Sequence, residues 1–149
     1  MIRVRQVVSE KDLKRAFSIR IRVFVREQGV PEEIELDEDD RRAIHFLATV
    51  EGKPVGTARL VIKNERAKIG RMAVLKSYRD KGVGKALLER AIELARKRRA
   101  KLIFLNAQVP VIGFYERIGF RCVGRVFMEA GIPHRKMVLV TRKRPANSR

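Results

Sequence analysis

The chain of 149 residues has one cysteine, no tryptophan, two tyrosines and two histidines. Cys122 alone forms no internal disulfide, which excludes a disulfide scaffold and fits a reducing cytoplasm. One cysteine and two distant histidines offer no metal-ligand spacing, so no metal is expected. No apolar run exceeds four residues, as in Leu102-Ile103-Phe104-Leu105, whereas a membrane helix needs about 20. The start, Met1-Ile2-Arg3-Val4-Arg5-Gln6, has charges where a secretory signal has an apolar stretch. A cytoplasmic protein without a membrane partner is the expectation.

Acids are scarce as well, with 17 Asp+Glu against 35 Lys+Arg and a net charge of +18. Seven of those acids stand in one run without a base: Glu32, Glu33, Glu35, Asp37, Glu38, Asp39 and Asp40. The other 140 residues therefore carry +25. Such a body suggests a polyanionic partner, either a nucleic acid or a phosphorylated cofactor. Hydrophobic residues at 45% are enough for one core, and the length suits one domain of roughly 100–200 residues.

Alternation of Ile2 and Val4 with Arg3 and Arg5 predicts a first strand. Ser9-Glu10-Lys11-Asp12 resembles a capping box. Leu13, Phe17, Ile21, Phe24 and Val25 then keep helical spacing until Gly29 and Pro31. The acidic run reads as a surface loop or short helix. Strands are predicted over 44–50, 55–62 and 68–75, separated by turn residues. Val83, Leu87, Leu88, Ala91, Ile92 and Ala95 predict an amphipathic helix, followed by a strand at 101–106. A second helix runs from Pro110 to Ile118, closed by Gly119, and two strands near 120–129 and 134–141 flank a Gly131-Ile132-Pro133 turn. The order predicts a single α/β domain over residues 1–141 and a basic, frayed tail over 142–149.

Between the fourth strand and its helix stands Arg79-Asp80-Lys81-Gly82-Val83-Gly84. Glycines there let backbone N–H groups close on an anion, and the helix N-terminus adds roughly half a positive charge. Arg79, Lys81 and Lys85 add more. The simpler reading is a glycine-eased turn into a core helix. Neither a P-loop nor a dinucleotide fingerprint fits, since the glycines those motifs need are absent around this loop.

The loop resembles the Arg/Gln-x-x-Gly-x-Gly/Ala signature of the GNAT superfamily, the acyl-CoA-dependent N-acyltransferases. Asn106 followed by Gly113-Phe114-Tyr115-Glu116-Arg117-Ile118-Gly119-Phe120 resembles that family's second motif. Arg22 through Pro31 and Gly131-Ile132-Pro133-His134 are similar to its small ElaA-like branch. The resemblance implies a GNAT fold, with a mixed, mostly antiparallel sheet of about six or seven strands, helices on both faces and a splay between strands four and five. It implies acetyl-CoA as cosubstrate. Its pantetheine arm would pair with Met72, Ala73 and Val74, and its pyrophosphate would rest on Arg79, Asp80, Lys81, Gly82, Val83, Gly84 and Lys85. Asn106, Tyr115 and Arg117 complete the implied contacts. Tyr115 would protonate the leaving thiolate, and a primary amine would attack directly in a ternary complex.

For the general base, strand four offers Lys68 and Arg71 and no acid, so Glu27, His134 and Glu129 are the candidates. Cys122 reads as an ordinary core or edge thiol and His45 as a packed histidine. The acidic run reads either as a solvated segment that offsets local positive charge or as an attractor for a cationic acceptor: a small amine, a polyamine or a basic protein. A homodimer is compatible with the sequence. The competing function is a nucleic-acid- or ribosome-associated module that keeps the fold, supported by Arg96, Lys97, Arg98, Arg99 and Lys101 and by Arg142-Lys143-Arg144; it lacks a recognisable RNA-reading motif, and the acetyl-transfer reading does not require nucleic acid.

Overall fold

The computed structural model describes residues 1–140, so the tail over 142–149 expected from the sequence lies outside the described residues. Contacts divide the chain into two compact units, Met1–Ile103 and Phe104–Arg149. In the first, β1 (Ile2–Gln6), β2 (Ile44–Val50), β3 (Lys53–Lys63) and β4 (Arg66–Val74) pair antiparallel in sequence order. It also carries α1 (Glu10–Arg20), the one-turn α2 (Glu32–Glu35) and α3 (Val83–Lys97). β5 (Leu102–Gln108) leads the chain into the second unit, with α4 (Ile112–Ile118), β6 (Phe120–Glu129) and β7 (Ile132–Leu139). There β7 pairs antiparallel with both β5 and β6. Pro133 belongs to β7, opposite Met128, and the turn is Ala130-Gly131 rather than the Gly131-Pro133 expected.

α1 starts where the capping pattern puts it, with the Ser9 hydroxyl oxygen accepting from Asp12 N–H at 3.0 Å. Ala16, Ile19 and Val23 pack on Leu47 and Ala73, with Val7, Phe24 and Leu75 around them. The predicted single helix changes winding at Ile21. From there to Glu27 it is π-helical, with Gln28 N–H bonded to Val23 C=O at 3.1 Å. Neither proline nor glycine marks that change, and a π turn shifts every later side chain around the axis.

α3 buries all six residues of its predicted stripe. It approaches β3 so closely that a Cβ at Gly56 would sit 3.0 Å from Leu87 Cδ1 and Val83 Cγ1. A side chain at residue 56 would require this helix, which follows the loop at 79–84, or its packed side chains to give way by a few tenths of an ångström.

The acidic run departs most from expectation. Glu32, Glu33 and Glu38 are exposed as a solvated segment should be, but Glu35 is 2% exposed. The difference comes from arginines at buried positions of α1 and β3. Arg20, 1% exposed, donates from Nε to Glu35 Oε2 (3.0 Å), from Nη2 to Glu35 C=O (2.7 Å) and from Nη1 to Asp40 Oδ1 (2.7 Å). Arg59, buried on β3, donates to Asp37 (2.7 Å) and Asp40 (3.1 Å). Lys63 takes Asp39 at the surface (3.1 Å). Burial raises the Glu35 carboxyl above its ordinary value, against Arg71, Arg20 and Arg59. Burial opposes the Asp40 carboxylate too, but Arg20, the Asp37 N–H and Arg59 bring it down to about 2.

Removing Arg20 leaves two buried carboxylates short of their main partner, which costs about 3–5 kcal/mol. Arg20→Met should therefore shift the urea midpoint far more than Lys63→Ala, whose exposed pair is worth below about 1 kcal/mol. Equal shifts would contradict the network. Because Asp40's folded value lies below its ordinary 3.8, its share of stability is complete above that pH and lost as pH falls through about 2.

Candidate active site

β4 pairs regularly with β3 from Lys63↔Arg66 to Arg59↔Gly70, and then the register slips, so that Ala73 faces Thr57. One extra residue sits on β4 at Arg71-Met72, a β-bulge that bends the strand and re-aims the residues C-terminal to it. Arg71 adopts φ +47°, a left-handed conformation that costs a non-glycine residue about 1–2 kcal/mol. Its side chain is clasped by the acidic segment. Nε donates to Glu35 C=O (3.1 Å) and lies 3.2 Å from Glu35 Oε2, while Nη2 reaches Asp37 Oδ2 (3.2 Å) and Ile34 C=O (3.4 Å). The conformation of Met72–Val74, the backbone expected to meet a cofactor arm, therefore depends on residues 34–37.

After β4, Asp80 (φ +61°) and Gly82 (φ +90°) turn the chain into α3. Gly82 N-caps the helix without a side-chain hydrogen bond, leaving its first-turn amides available to an anion. Lys81 and Lys85 are exposed here, with no ion pair among the described residues. Arg79, expected to add charge around an anion, is paired within the protein. Its Nε donates to Val74 C=O (2.8 Å), and Nη1 and Nη2 donate to Glu27 Oε2 and Oε1 (2.5 and 2.8 Å). Hydrogen bonds from Arg79 hold the Glu27 carboxyl below its ordinary value. Glu27 thus ties the π turn to the loop, with both oxygens already accepting.

In the second unit, Tyr115 on α4 stands edge-to-face with Phe114 (5.1 Å) and Phe120 (6.1 Å). Burial pushes its phenol up to about 12, so it stays protonated at any working pH. Arg117 is exposed in the last turn of α4, before Gly119 (φ +119°). Three candidates meet on one face of β5, β6 and β7. Asn106 Nδ2 donates to Glu129 Oε1 (3.3 Å), and Glu129 Oε2 lies 3.9 Å from His134 Nε2. His134 Nδ1 lies 2.7 Å from Ile132 C=O. His45 is packed as expected, Nε2 against Asp40 C=O at 3.0 Å, and burial lowers its basicity.

Sequence reasoning missed Arg20, Arg59 and the part played by Arg71. The available signal was charge at inward positions: Arg20 follows Ala16 and Ile19 on the buried face of α1, and Arg59 lies within the buried run of β3.

An Acetyltransferase (GNAT) domain family matches residues 6–141. The uncharacterized N-acetyltransferase YjcF of Bacillus subtilis is 39% identical, over 87% of this chain and 94% of that protein. The crystal structure of Escherichia coli ElaA superposes with TM-score 0.84 at 29% identity, over 94% of this chain and 100% of that one. A GNAT acetyltransferase of Elizabethkingia anophelis, solved with acetyl-CoA bound, shares the fold at TM-score 0.70 and 17% identity, over 92% and 94% of the two chains. The α/β fold is that of GNAT proteins, as the motifs imply.

Two substitutions of one side chain test the bulge. Arg71→Gly and Arg71→Ala lose the same hydrogen bonds, but only glycine adopts φ +47° without cost. The glycine variant should be more stable than the alanine variant by about 1 kcal/mol in urea unfolding. An alanine variant of equal or greater stability would place Arg71 outside the left-handed region.

Proposed function

The chain belongs to the GNAT acetyltransferase family, and on that premise we propose that it transfers an acetyl group from acetyl-CoA to a primary amine by direct attack in a ternary complex. The observation that carries this reading is the loop 79–84, where left-handed Asp80 and Gly82 lead into a 15-residue helix without a side-chain N-cap, beside Lys81 and Lys85, neither of which has an ion pair among the described residues. That arrangement fits a pyrophosphate. Acetyl-CoA supplies the activated thioester.

In this reading the N–H groups of Gly82, Val83, Gly84 and Lys85 bind the phosphates, with Lys81 and Lys85 adding charge and Arg117 available for more. Arg79 and Glu27 hold the loop in shape, and Asp80 supplies its turn. The β4 backbone at Met72, Ala73 and Val74 takes the pantetheine amides as a sheet edge takes a peptide. A β4 N–H polarises the reacting carbonyl, and Asn106 steadies the arm.

Tyr115 serves the leaving sulfur. A phenol near 12 is a weaker acid than a thiol near 8.5, so full transfer of its proton alone would run uphill. Its part is to donate a hydrogen bond to the departing thiolate and to pass on a proton as the nitrogen releases one. Among the described residues no helix is long and apolar enough to cross a membrane. The lone thiol of Cys122 favours a reducing compartment such as the cytoplasm.

Calorimetry should show acetyl-CoA binding at micromolar levels, weakened at least about tenfold by Gly82→Val, which forces a branched side chain to φ +90°. Tyr115→Phe should bind acetyl-CoA as the wild type does and lose about 100-fold in kcat. No acetyl-CoA binding would sink the cosubstrate, and full turnover by Tyr115→Phe would sink the role of the phenol.

A further inference from the structure

The family reading leaves the proton acceptor open, because β4 has no acid to offer. The sheet of the second unit offers something more specific. In its register, Gln108 and Phe127 both lie opposite His134, Glu129 lies opposite Ile132 and Asn106 opposite Lys136, so all these side chains share one face. His134 is 6% exposed and stacks on Phe127 at 6.0 Å.

Its ring orientation decides what it can do. Ile132 C=O can only accept, so the contact at 2.7 Å requires the proton on Nδ1. In the neutral ring, Nε2 is then a bare lone pair. It faces Glu129 Oε2 across 3.9 Å, and an ionised carboxylate is also acceptor-only. Asn106 holds the other carboxylate oxygen, which keeps Oε2 turned toward the ring. Two acceptors confront each other, and the Glu129 side chain is 39% exposed, open to a ligand.

A group with two N–H donors resolves that confrontation. A tetrahedral nitrogen making two hydrogen bonds of about 2.8 Å spans roughly 4–4.6 Å between its acceptors, close to the gap present. We propose that Glu129 and His134 form the seat of the acceptor's primary ammonium, with Glu129 holding it and His134 Nε2 taking one of its protons. This rests on the acetyl-transfer reading and identifies the acceptor subsite within it.

The step balances. The ammonium donates one N–H to Glu129 and one to His134. Transfer of the latter proton leaves a neutral amine and an imidazolium paired with Glu129, so the net charge of the seat is the same before and after. The amine lone pair forms the C–N bond as the C–S bond breaks. The nitrogen's second proton replaces the one that Tyr115 passes to sulfur, and the imidazolium returns its proton to water. The charged groups that the register puts on this face of the strands are Glu129 and Arg121 on β6, Arg121 lying opposite Val138, and Lys136 on β7, the last with its ammonium over the Phe104 ring at 4.9 Å; Gln108 and Phe127, directly opposite His134, are uncharged.

The test uses the full chain with acetyl-CoA, taking butylamine and lysine amide as acceptors and CoA release as readout. Glu129→Gln should raise the amine KM about tenfold or more, lower kcat as well because the imidazolium loses its paired carboxylate, and leave acetyl-CoA affinity unchanged by calorimetry. Glu129→Asp, which keeps the charge, should recover much of that loss. The wild type should show an acid limb in its kcat/KM profile, and His134→Gln should lower kcat about 100-fold and flatten that limb. If Glu129→Gln keeps the wild-type amine KM, or His134→Gln keeps the acid limb, the seat is wrong while acetyl transfer stands. Should His134→Gln fail to fold, the half-exposed Glu129 pair of variants decides alone. A wild type that binds acetyl-CoA and releases no CoA with either amine overturns both readings.

Discussion

Three arginines from three separate elements, Arg20, Arg59 and Arg71, close on three carboxylates of one short segment, Glu35, Asp37 and Asp40. Taking that many charges out of water is costly, and burial raises the Glu35 carboxyl despite its partners. A packed apolar cluster would do as well for stability alone. What the ions add is direction: guanidinium forks accept carboxylates in few geometries, so α1, β3 and the bulge of β4 are locked to the segment at 34–40. Arg71 is the outcome that matters for function, because its left-handed backbone is where β4 leaves register with β3. A second clamp, Glu27 on Arg79, secures the loop between β4 and α3. The candidate cofactor surface is thus positioned by two sets of ion pairs that need not touch the cofactor.

This rearranges the meaning of the chain's charge. The run of seven acids resembles a free anionic patch in the sequence, yet four of its carboxylates are matched by cations within the same unit. That leaves Glu32, Glu33 and Glu38 as its exposed remainder, too few to make the run a strong attractor for a cationic acceptor. The carboxylate better suited to an amine in the proposed seat is Glu129 on β6, held by Asn106 at one oxygen and 3.9 Å from His134 Nε2 at the other. Under the proposed function, Lys81 and Lys85 would give the excess of +18 one use, at the phosphorylated cosubstrate.

Much of the fold is legible in the sequence because it rests on short-range rules. Ser9 caps where a capping serine should, α3 buries its predicted stripe, and the loop from Arg79 to Gly84 carries the left-handed turn its glycines suggest. The remainder depends on tertiary context. The π winding at Ile21–Glu27 has no residue signature, and the bulge places an arginine where glycine would be the local expectation. The meeting of Asn106, Glu129 and His134 depends on strand register, which a further irregularity between Val123 and Phe127 resets. Arginines at inward positions of α1 and β3 were the one visible warning that the acidic run would be drawn in.

The most direct test of the account is a titration of the isotope-labelled protein with acetyl-CoA, following every backbone amide by NMR. The predicted result is that the amides of Met72–Val74 and of Lys81 to Lys85 shift together and saturably, while those of Glu32 to Asp40 stay nearly still. Shifts confined to the basic stretch from Arg96 to Lys101, or an unchanged spectrum at millimolar cosubstrate, would contradict it.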